Sequence, residues 1–142
     1  MIKLPENIDW SFEPEAMSPL ALAYVGDAVY ELYIRVLLVG QGSPKMKDLH
    51  RQAVKYVRAG TQAAFLKELE PLLTEEELAV VRWGRNAKSG HTPKSADVLE
   101  YRHSTGFEAL IGYLYLKGRQ ERLFELLGEL GPLIETSGGQ EG

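Results

Sequence analysis

The chain has 142 residues, of which 44% are hydrophobic and 25% charged, a composition typical of a single soluble globular domain. It contains no cysteine, which excludes disulfides and thiolate metal sites, and no apolar run approaches the roughly 20 residues needed to cross a bilayer. A net charge of -4 argues against a general nucleic-acid binder, and the N-terminus lacks a secretory signal, so we predict a cytoplasmic protein without a membrane partner.

The basic residues are unevenly distributed along the chain. Residues 45–58 contain five of them and residues 82–102 five more, so these two segments hold ten of the sixteen lysines and arginines. In the first segment Lys47, Arg51 and Lys55 are four positions apart, which places them on one face of a helix. Clustered cations are what phosphate neutralisation requires, so a local nucleic-acid surface is compatible with the acidic total.

The first half of the chain begins with an irregular arm over residues 1–17, where no apolar periodicity is sustained. A helix should start after Ser18 and Pro19, because serine caps a free amide and proline at the first helical position needs no donor. This helix is expected to run to about Val39, with apolar stripes on opposite sides that predict burial on both. A second helix, basic on one side, should begin near Lys45, and a short third helix should follow.

The fourth helix has a clear start signal in Thr74 and Glu77. Threonine followed three residues later by glutamate is a capping box, in which each side chain bonds the other's backbone amide. We therefore predict a helix from about Glu75 to about Gly84. The residues after it, 85–97, are rich in glycine, proline, serine and basic side chains, which predicts a polar loop.

The last part of the chain contains a second core helix past Val98 and then an amphipathic helix, both shown by apolar residues at helical spacing. Residues 131–142 are predicted to be a flexible C-terminal tail. No segment shows the strict apolar-polar alternation of an exposed strand. The sequence therefore predicts an all-α fold with a single helical domain over residues 18–130.

Two acids lie within the predicted core helices, Asp27 in the first and Glu108 in the later one. An ionised carboxylate among apolar residues needs a partner, and two of them could converge on magnesium, which prefers oxygen ligands. The alternatives are a solvated Asp27 or one paired with Arg35, and a Glu108 favoured by the helix dipole in a first turn. Gly26 and Gly112 lie beside these acids, and glycine inside a helix permits two backbones to approach closely.

The loop over residues 85–97 could be only a solvated connection, as most charged loops are. Its basic, amide and hydroxyl side chains are nevertheless suited to phosphate and sugar contacts. His91 is its only histidine, and with no cysteine in the chain a zinc site is not expected.

The chain contains LALAYVGDAVYELYIR at 20–35, RWGRNAKSGHTPK at 82–94 and DVLEYRHSTGFEALIGYLYL at 97–116. These three segments resemble the ribonuclease III family, and in particular its Mini-III branch, which lacks a double-stranded-RNA-binding domain. The segment at 20–35 resembles the glycine-aspartate helix of that family. The segment at 82–94, followed by that at 97–116, is similar to the region that distinguishes Mini-III. Order and spacing agree over about residues 18–127.

The resemblance implies a homodimeric, magnesium-dependent endoribonuclease, with manganese as a substitute ion, that cuts each strand of double-stranded RNA to leave 5′-phosphate and 3′-hydroxyl ends. It implies maturation of the large-subunit (23S) ribosomal RNA precursor, with an assisting ribosomal protein as a further partner. Asp27 and Glu108 match the family's catalytic, metal-binding acids. The residues expected to bind RNA are Lys47, Arg51, Lys55, Arg85, Asn86, Lys88, Ser89, His91, Thr92 and Lys94.

Two further acids of the family have no counterpart here, because Ala23 and Thr105 occupy their positions. The full four-carboxylate set is therefore absent, which leaves the number of metal ions per site open. The same departure supports an alternative function, a non-catalytic RNA-binding or ribosome-assembly module that keeps the fold. A purely structural helical protein is a second alternative.

Overall fold

The computed structural model describes residues 13–42, 45–87 and 97–134. Within these ranges the chain forms helices without any β-strand, so the prediction of an all-α fold is confirmed. Among the described residues, no helix combines the length and apolar character that a bilayer span requires. The α-helices are α1 (Pro19–Gly40), α2 (Met46–Val57), α3 (Ala59–Leu69), α4 (Glu75–Arg85), α5 (Val98–Leu116) and α6 (Gln120–Leu130).

The predicted helix starts are found where the local signals place them. The hydroxyl of Ser18 accepts a hydrogen bond from the Ala21 amide at 3.1 Å and so caps α1. At the start of α4 the Glu77 amide donates to the Thr74 hydroxyl at 3.1 Å, and the Thr74 amide donates to the Glu77 carboxylate at 2.9 Å. The capping box is confirmed, and both helices begin within one residue of the prediction.

Helix α5 is the centre of the fold and packs against α1, α3, α4 and α6. Its Phe107 and Leu114 are fully buried. The ring of Tyr30 on α1 meets Phe107 edge-on, with centroids 5.1 Å apart, and its hydroxyl donates to the Tyr56 carbonyl on α2 at 2.7 Å. One tyrosine therefore connects three helices and fixes the position of α1 against α5.

The expectation that α1 is buried on both sides is wrong for the single chain. Tyr30 and Ile34 are 0% exposed, whereas Leu32 is 43% and Val36 61% exposed. On the apolar stripe that contains Leu32 and Val36, these two residues therefore face outward, whereas Val29 of the same stripe is buried. Helical periodicity identifies apolar stripes but does not tell whether the chain itself covers them.

Both ends of the folded part extend beyond the predicted limits of residues 18 and 130. Pro14–Ala16 forms a 3-10 turn, and Glu15 within it forms an ion pair with Lys117 at the end of α5. Gly131–Leu133 forms another 3-10 turn, and the following Ile134 is fully buried. The rest of the predicted arm and tail lies outside the described residues.

Candidate active site

Asp27 and Glu108 lie side by side where α1 crosses α5. Their carboxyl groups are within hydrogen-bonding contact. Asp27 is exposed at the surface, and Glu108 is half-buried behind it. The structure thus brings together the two acids that the sequence singled out, although their chemical roles stay predictions.

The contact between the acids depends on two glycines at the helix crossing. A Cβ atom on Gly26 would lie 1.8 Å from the Glu108 carbonyl oxygen, and one on Gly112 would lie 1.9 Å from the Leu22 carbonyl oxygen. No side chain larger than hydrogen fits at either distance. The expectation that these glycines permit a close approach of the two helices is confirmed.

Burial and the neighbouring Asp27 carboxylate together raise the pKa of Glu108 to about 8, whereas a hydrogen bond from the Gln62 side chain acts in the opposite direction. Two adjacent carboxylates repel each other when both are ionised, so the pair retains a proton unless a cation replaces it. Asp27 and Glu108 would each offer carboxylate oxygens as metal ligands, the ligand type that magnesium prefers. The residues present therefore fit a hard divalent cation.

A cavity of about 870 Å³ opens beside Glu108, between the beginning of α3 and the outer face of α5. Arg58 and Gln62 line it from the α3 side, and Glu100 and Ser104 line it from α5. The cavity places a cation, hydroxyl groups and a carboxylate next to Glu108, whereas Asp27 lines a separate surface depression with Tyr24 and Leu32. The cavity can hold a polar substrate against Glu108.

A family model described as the Ribonuclease III domain matches residues 20–119 of this chain. The chain belongs to the ribonuclease III family. It is therefore an endoribonuclease. The matched residues include both members of the Asp27–Glu108 pair, so the family's domain and the candidate site coincide.

Named ribonuclease III relatives agree on one branch of the family. The chain is 55% identical to the Mini-ribonuclease 3 of Symbiobacterium thermophilum over 122 residues, which cover 86% of this chain and 94% of that protein. It is 49% identical to the Mini-ribonuclease 3 of Brevibacillus brevis over 123 residues, covering 87% of this chain and 92% of that protein. A crystal structure of a Fusobacterium nucleatum protein superposes with a TM-score of 0.75 at 30% identity, covering 84% of this chain and 96% of that one.

Two of the alternatives for the acids are wrong. Arg35 forms an ion pair with Glu31, one turn further along α1, and is not the partner of Asp27. Glu108 does not lie in a first helical turn, because α5 begins at Val98. The idea that Asp27 is solvent-exposed is correct, and this exposure coexists with its contact to Glu108.

Among the described residues, the two positions that lack the family's acids supply no carboxylate to the pair. Ala23 is 6% exposed and packs in the core. The hydroxyl of Thr105 donates to the Tyr101 carbonyl at 3.0 Å within α5. Across the described ranges, no group of three or more histidine, aspartate or glutamate side chains is placed to hold a metal ion. The described part of the site therefore offers a pair of carboxylates.

The basic face of α2 is exposed as its spacing predicted, although its RNA-binding role stays a prediction. Lys47, Arg51 and Lys55 all lie at the surface. Arg51 makes a 3.3 Å ion pair with Asp48, and the Lys55 ammonium lies 5.4 Å from the centroid of the Tyr56 ring. The Arg51 side chain keeps 62% of its surface exposed, so it remains accessible to a phosphate.

The loop residues are only partly described. Arg85 is half-buried in the last turn of α4, and Asn86 follows it as an exposed C-cap residue. The other predicted RNA-binding residues of the loop lie outside the described residues: Lys88, Ser89, His91, Thr92 and Lys94.

Sequence reasoning did not single out Gln62, although the structure places it against Glu108. Gln62 is 1% exposed and shares the buried face of α3 with Phe65, Leu66 and Leu69. A signal for it was present, because these residues recur at helical spacing and a glutamine interrupts an otherwise apolar stripe.

Proposed function

We propose that this endoribonuclease cleaves double-stranded RNA with magnesium as its cofactor, and that Asp27 and Glu108 are its catalytic, metal-binding carboxylates. The contact between these two side chains carries the proposal. The fold holds two acids together at the cost of mutual repulsion, which a divalent cation between them would relieve. Manganese has the same preference for oxygen ligands and would substitute for magnesium.

The two carboxylates have different environments and therefore different tasks. Magnesium, when bound, supplies charge neutralisation at the scissile phosphate and a lowered pKa for the attacking water. Glu108 is half-buried and holds a proton at neutral pH until a cation displaces it. Asp27 is exposed and is therefore accessible to a substrate from solvent. Attack by water accounts for the proposed 5′-phosphate and 3′-hydroxyl ends.

A row of exposed basic residues on α2, followed by Arg58 in the cavity beside Glu108, supports a duplex as substrate. Lys47, Arg51 and Lys55 repeat every four residues along the exposed face of α2, and Arg58 continues that series into the cavity beside Glu108. Such a series is suited to the phosphates of an RNA backbone. With only a few phosphate contacts per chain, binding should be weak and should fall steeply with salt.

The outward apolar stripe of α1 supports a homodimer. Tyr24 is 83%, Val36 61% and Leu32 43% exposed, and large apolar side chains exposed along one helix are suited to a partner surface. Asp27 lies beside this stripe, since it lines the same surface depression as Tyr24 and Leu32. A second copy packed there would place two acid pairs along one cleft, one for each RNA strand.

We further propose the large-subunit (23S) ribosomal RNA precursor as the substrate and the cytoplasm as the location. The similarity to the Mini-ribonuclease 3 proteins supports this assignment. A single catalytic domain has little surface with which to select one stem among many. Selection by RNA shape or by an assisting ribosomal protein would compensate for that small surface.

The test compares wild-type protein with Asp27→Asn, Glu108→Gln and Glu121→Gln. Glu121 is an exposed carboxylate on α6, so its variant controls for the loss of one charge. Each protein is incubated with double-stranded or single-stranded RNA in magnesium, manganese or chelator, and the products are resolved on a denaturing gel. Ligation assays on the fragments then identify the end groups.

We expect wild type and Glu121→Gln to cut only the duplex and only with a divalent ion. Asp27→Asn and Glu108→Gln should lose at least 100-fold in rate while keeping a wild-type circular dichroism spectrum. Wild-type rates in either of these variants would overturn the proposed site.

A second candidate function is a non-catalytic RNA-binding or ribosome-assembly module. The core packing of Ala23 and the internal hydrogen bond of Thr105 favour it, since neither position contributes a metal ligand. Intact RNA under every condition, together with a retained gel shift, would support this module and exclude the metal-dependent mechanism.

A further inference from the structure

We propose that Gln62 is a positioning residue that holds the Glu108 carboxylate in place against Asp27. The inference rests on the proposed function, because it assigns Gln62 a role in the same acid pair. It concerns a residue on α3, whereas the two acids lie on α1 and α5. A third helix would thereby take part in shaping the site.

The side-chain amide of Gln62 is buried and held in a fixed position. The side chain is 1% exposed, and its Nε2 donates to the Val57 carbonyl at the end of α2 at 2.7 Å. Gln62 and Glu108 line the same cavity, and the polar Gln62 side chain acts to lower the pKa of Glu108. An amide nitrogen has two N–H groups in one plane, so fixing one of them on Val57 fixes the direction in which the other points.

Burying a polar side chain at position 62 lowers the stability of the fold. Its Oε1 is buried and has no hydrogen-bond partner among the described residues. An unsatisfied buried oxygen is destabilising, whereas leucine or methionine would extend the apolar stripe that Phe65 and Leu66 form on α3. The hydrogen bond to the Val57 carbonyl uses one N–H of this amide, and orienting Glu108 would give the second N–H a role.

The chemistry of an amide suits this task better than that of a charged side chain. A lysine or arginine at the same place would neutralise Glu108 and compete with the cation for it. A glutamine donates a directed hydrogen bond and leaves the full negative charge of the acid pair available. Residues that orient a metal ligand in this way commonly change metal affinity or activity by about 10- to 100-fold when they are removed.

The test replaces Gln62 by methionine, which preserves length and volume but removes both N–H groups. A matched control is Gln52→Met, because Gln52 is a second buried glutamine, 5% exposed, on α2. Three quantities are measured for wild type and both variants: the midpoint of thermal unfolding, the affinity for Mn²⁺ alone by electron paramagnetic resonance, and kcat and KM for duplex RNA cleavage.

For Gln62→Met we expect a cooperative unfolding transition, a Mn²⁺ affinity reduced about tenfold or more, and a reduced kcat with KM for RNA within twofold of wild type. Gln52→Met should change neither Mn²⁺ affinity nor kcat by more than twofold. If Gln62→Met fails to fold, Gln62→Leu provides the same comparison with a side chain that matches the apolar stripe of α3.

A folded Gln62 variant with wild-type Mn²⁺ affinity and kcat would overturn the positioning role while leaving the proposed function intact. Failure of the wild-type protein itself to bind Mn²⁺ or to cut RNA would overturn the proposed function, and the positioning role with it. Equal losses in the Gln52 and Gln62 variants would show a general effect of buried glutamine replacement and would also refute the inference.

Discussion

Replacing Glu108 by glutamine should stabilise the metal-free protein at pH 8 while it abolishes cleavage. The cause is the burial of Glu108, which together with the charge of the neighbouring Asp27 raises the pKa of Glu108 to about 8. A raised pKa in the folded state means that folding favours the protonated acid. The stability that this acid contributes is fully present below its ordinary pKa of 4.5 and is lost as pH rises to about 8.

The size of the effect follows from the difference between the two pKa values, which is 8 minus 4.5, or 3.5 units. At about 1.36 kcal/mol per unit the upper limit is roughly 5 kcal/mol. Glu108 is only half-buried, so solvent screening reduces this, and we expect about 1–2 kcal/mol at pH 8. For a domain of this size that corresponds to a rise of about 3–8 °C in Tm.

The assay is urea unfolding of wild type, Glu108→Gln and the control Glu121→Gln at pH 5 and pH 8, each with chelator or with magnesium. In chelator, Glu108→Gln should exceed wild type at pH 8 and match it at pH 5. Magnesium should stabilise wild type at pH 8 but not the variant, because a ligand stabilises the state that binds it. A variant that is less stable than wild type at pH 8 in chelator would refute the reasoning.

Three further predictions concern the helix crossing, a buried ion pair and the exposed face of α1. Gly26→Ala should unfold the domain or lower its free energy of unfolding by more than about 4 kcal/mol in denaturant melts, because the new Cβ would lie 1.8 Å from a carbonyl oxygen. The control Gly128→Ala, whose Cβ would meet nothing within 4 Å, should be neutral or stabilising. Equal effects of the two substitutions would contradict the crossing geometry. Arg122→Met should lower the free energy of unfolding by about 3 kcal/mol at pH 7, because it removes the ion-pair partner of the buried Glu77. Since Arg122 lowers the pKa of Glu77, the loss measured by urea unfolding should shrink as pH falls below 4.5. A pH-independent loss would contradict this. Leu32→Glu should convert a dimer to a monomer in sedimentation velocity without lowering Tm by more than about 3 °C, and an unchanged dimer would locate the interface elsewhere.

The helix boundaries were predictable from the sequence because their causes are local. A cap is decided by side chains and amides within four residues, as at Ser18 and Thr74, and the structure places both caps as predicted. The close crossing of α1 and α5 was also foreseeable, since Gly26 and Gly112 each flank an acid within an apolar helix.

Other features were not predictable because they depend on contacts with residues distant in the chain. The spacing of apolar residues in α1 showed two stripes, yet only packing against α5 determined that Tyr30 is covered and Val36 is not. Ile134 lies in a segment that its composition marks as a tail, and it is buried because it packs in the hydrophobic core. Gln62 was visible as a polar residue in an apolar stripe, but its partner on α5 was not.

The sequence by itself determined the helices, their caps and the identity of the two acids, because residues close in the chain interact whatever the rest of the protein does. The tertiary structure alone decided that Asp27 lies beside Glu108 and that Gln62 lines the same cavity as Glu108. It also decided that Glu108 prefers to hold a proton. Burial and repulsion arise only when groups distant in the chain are brought together, and no local pattern carries that information.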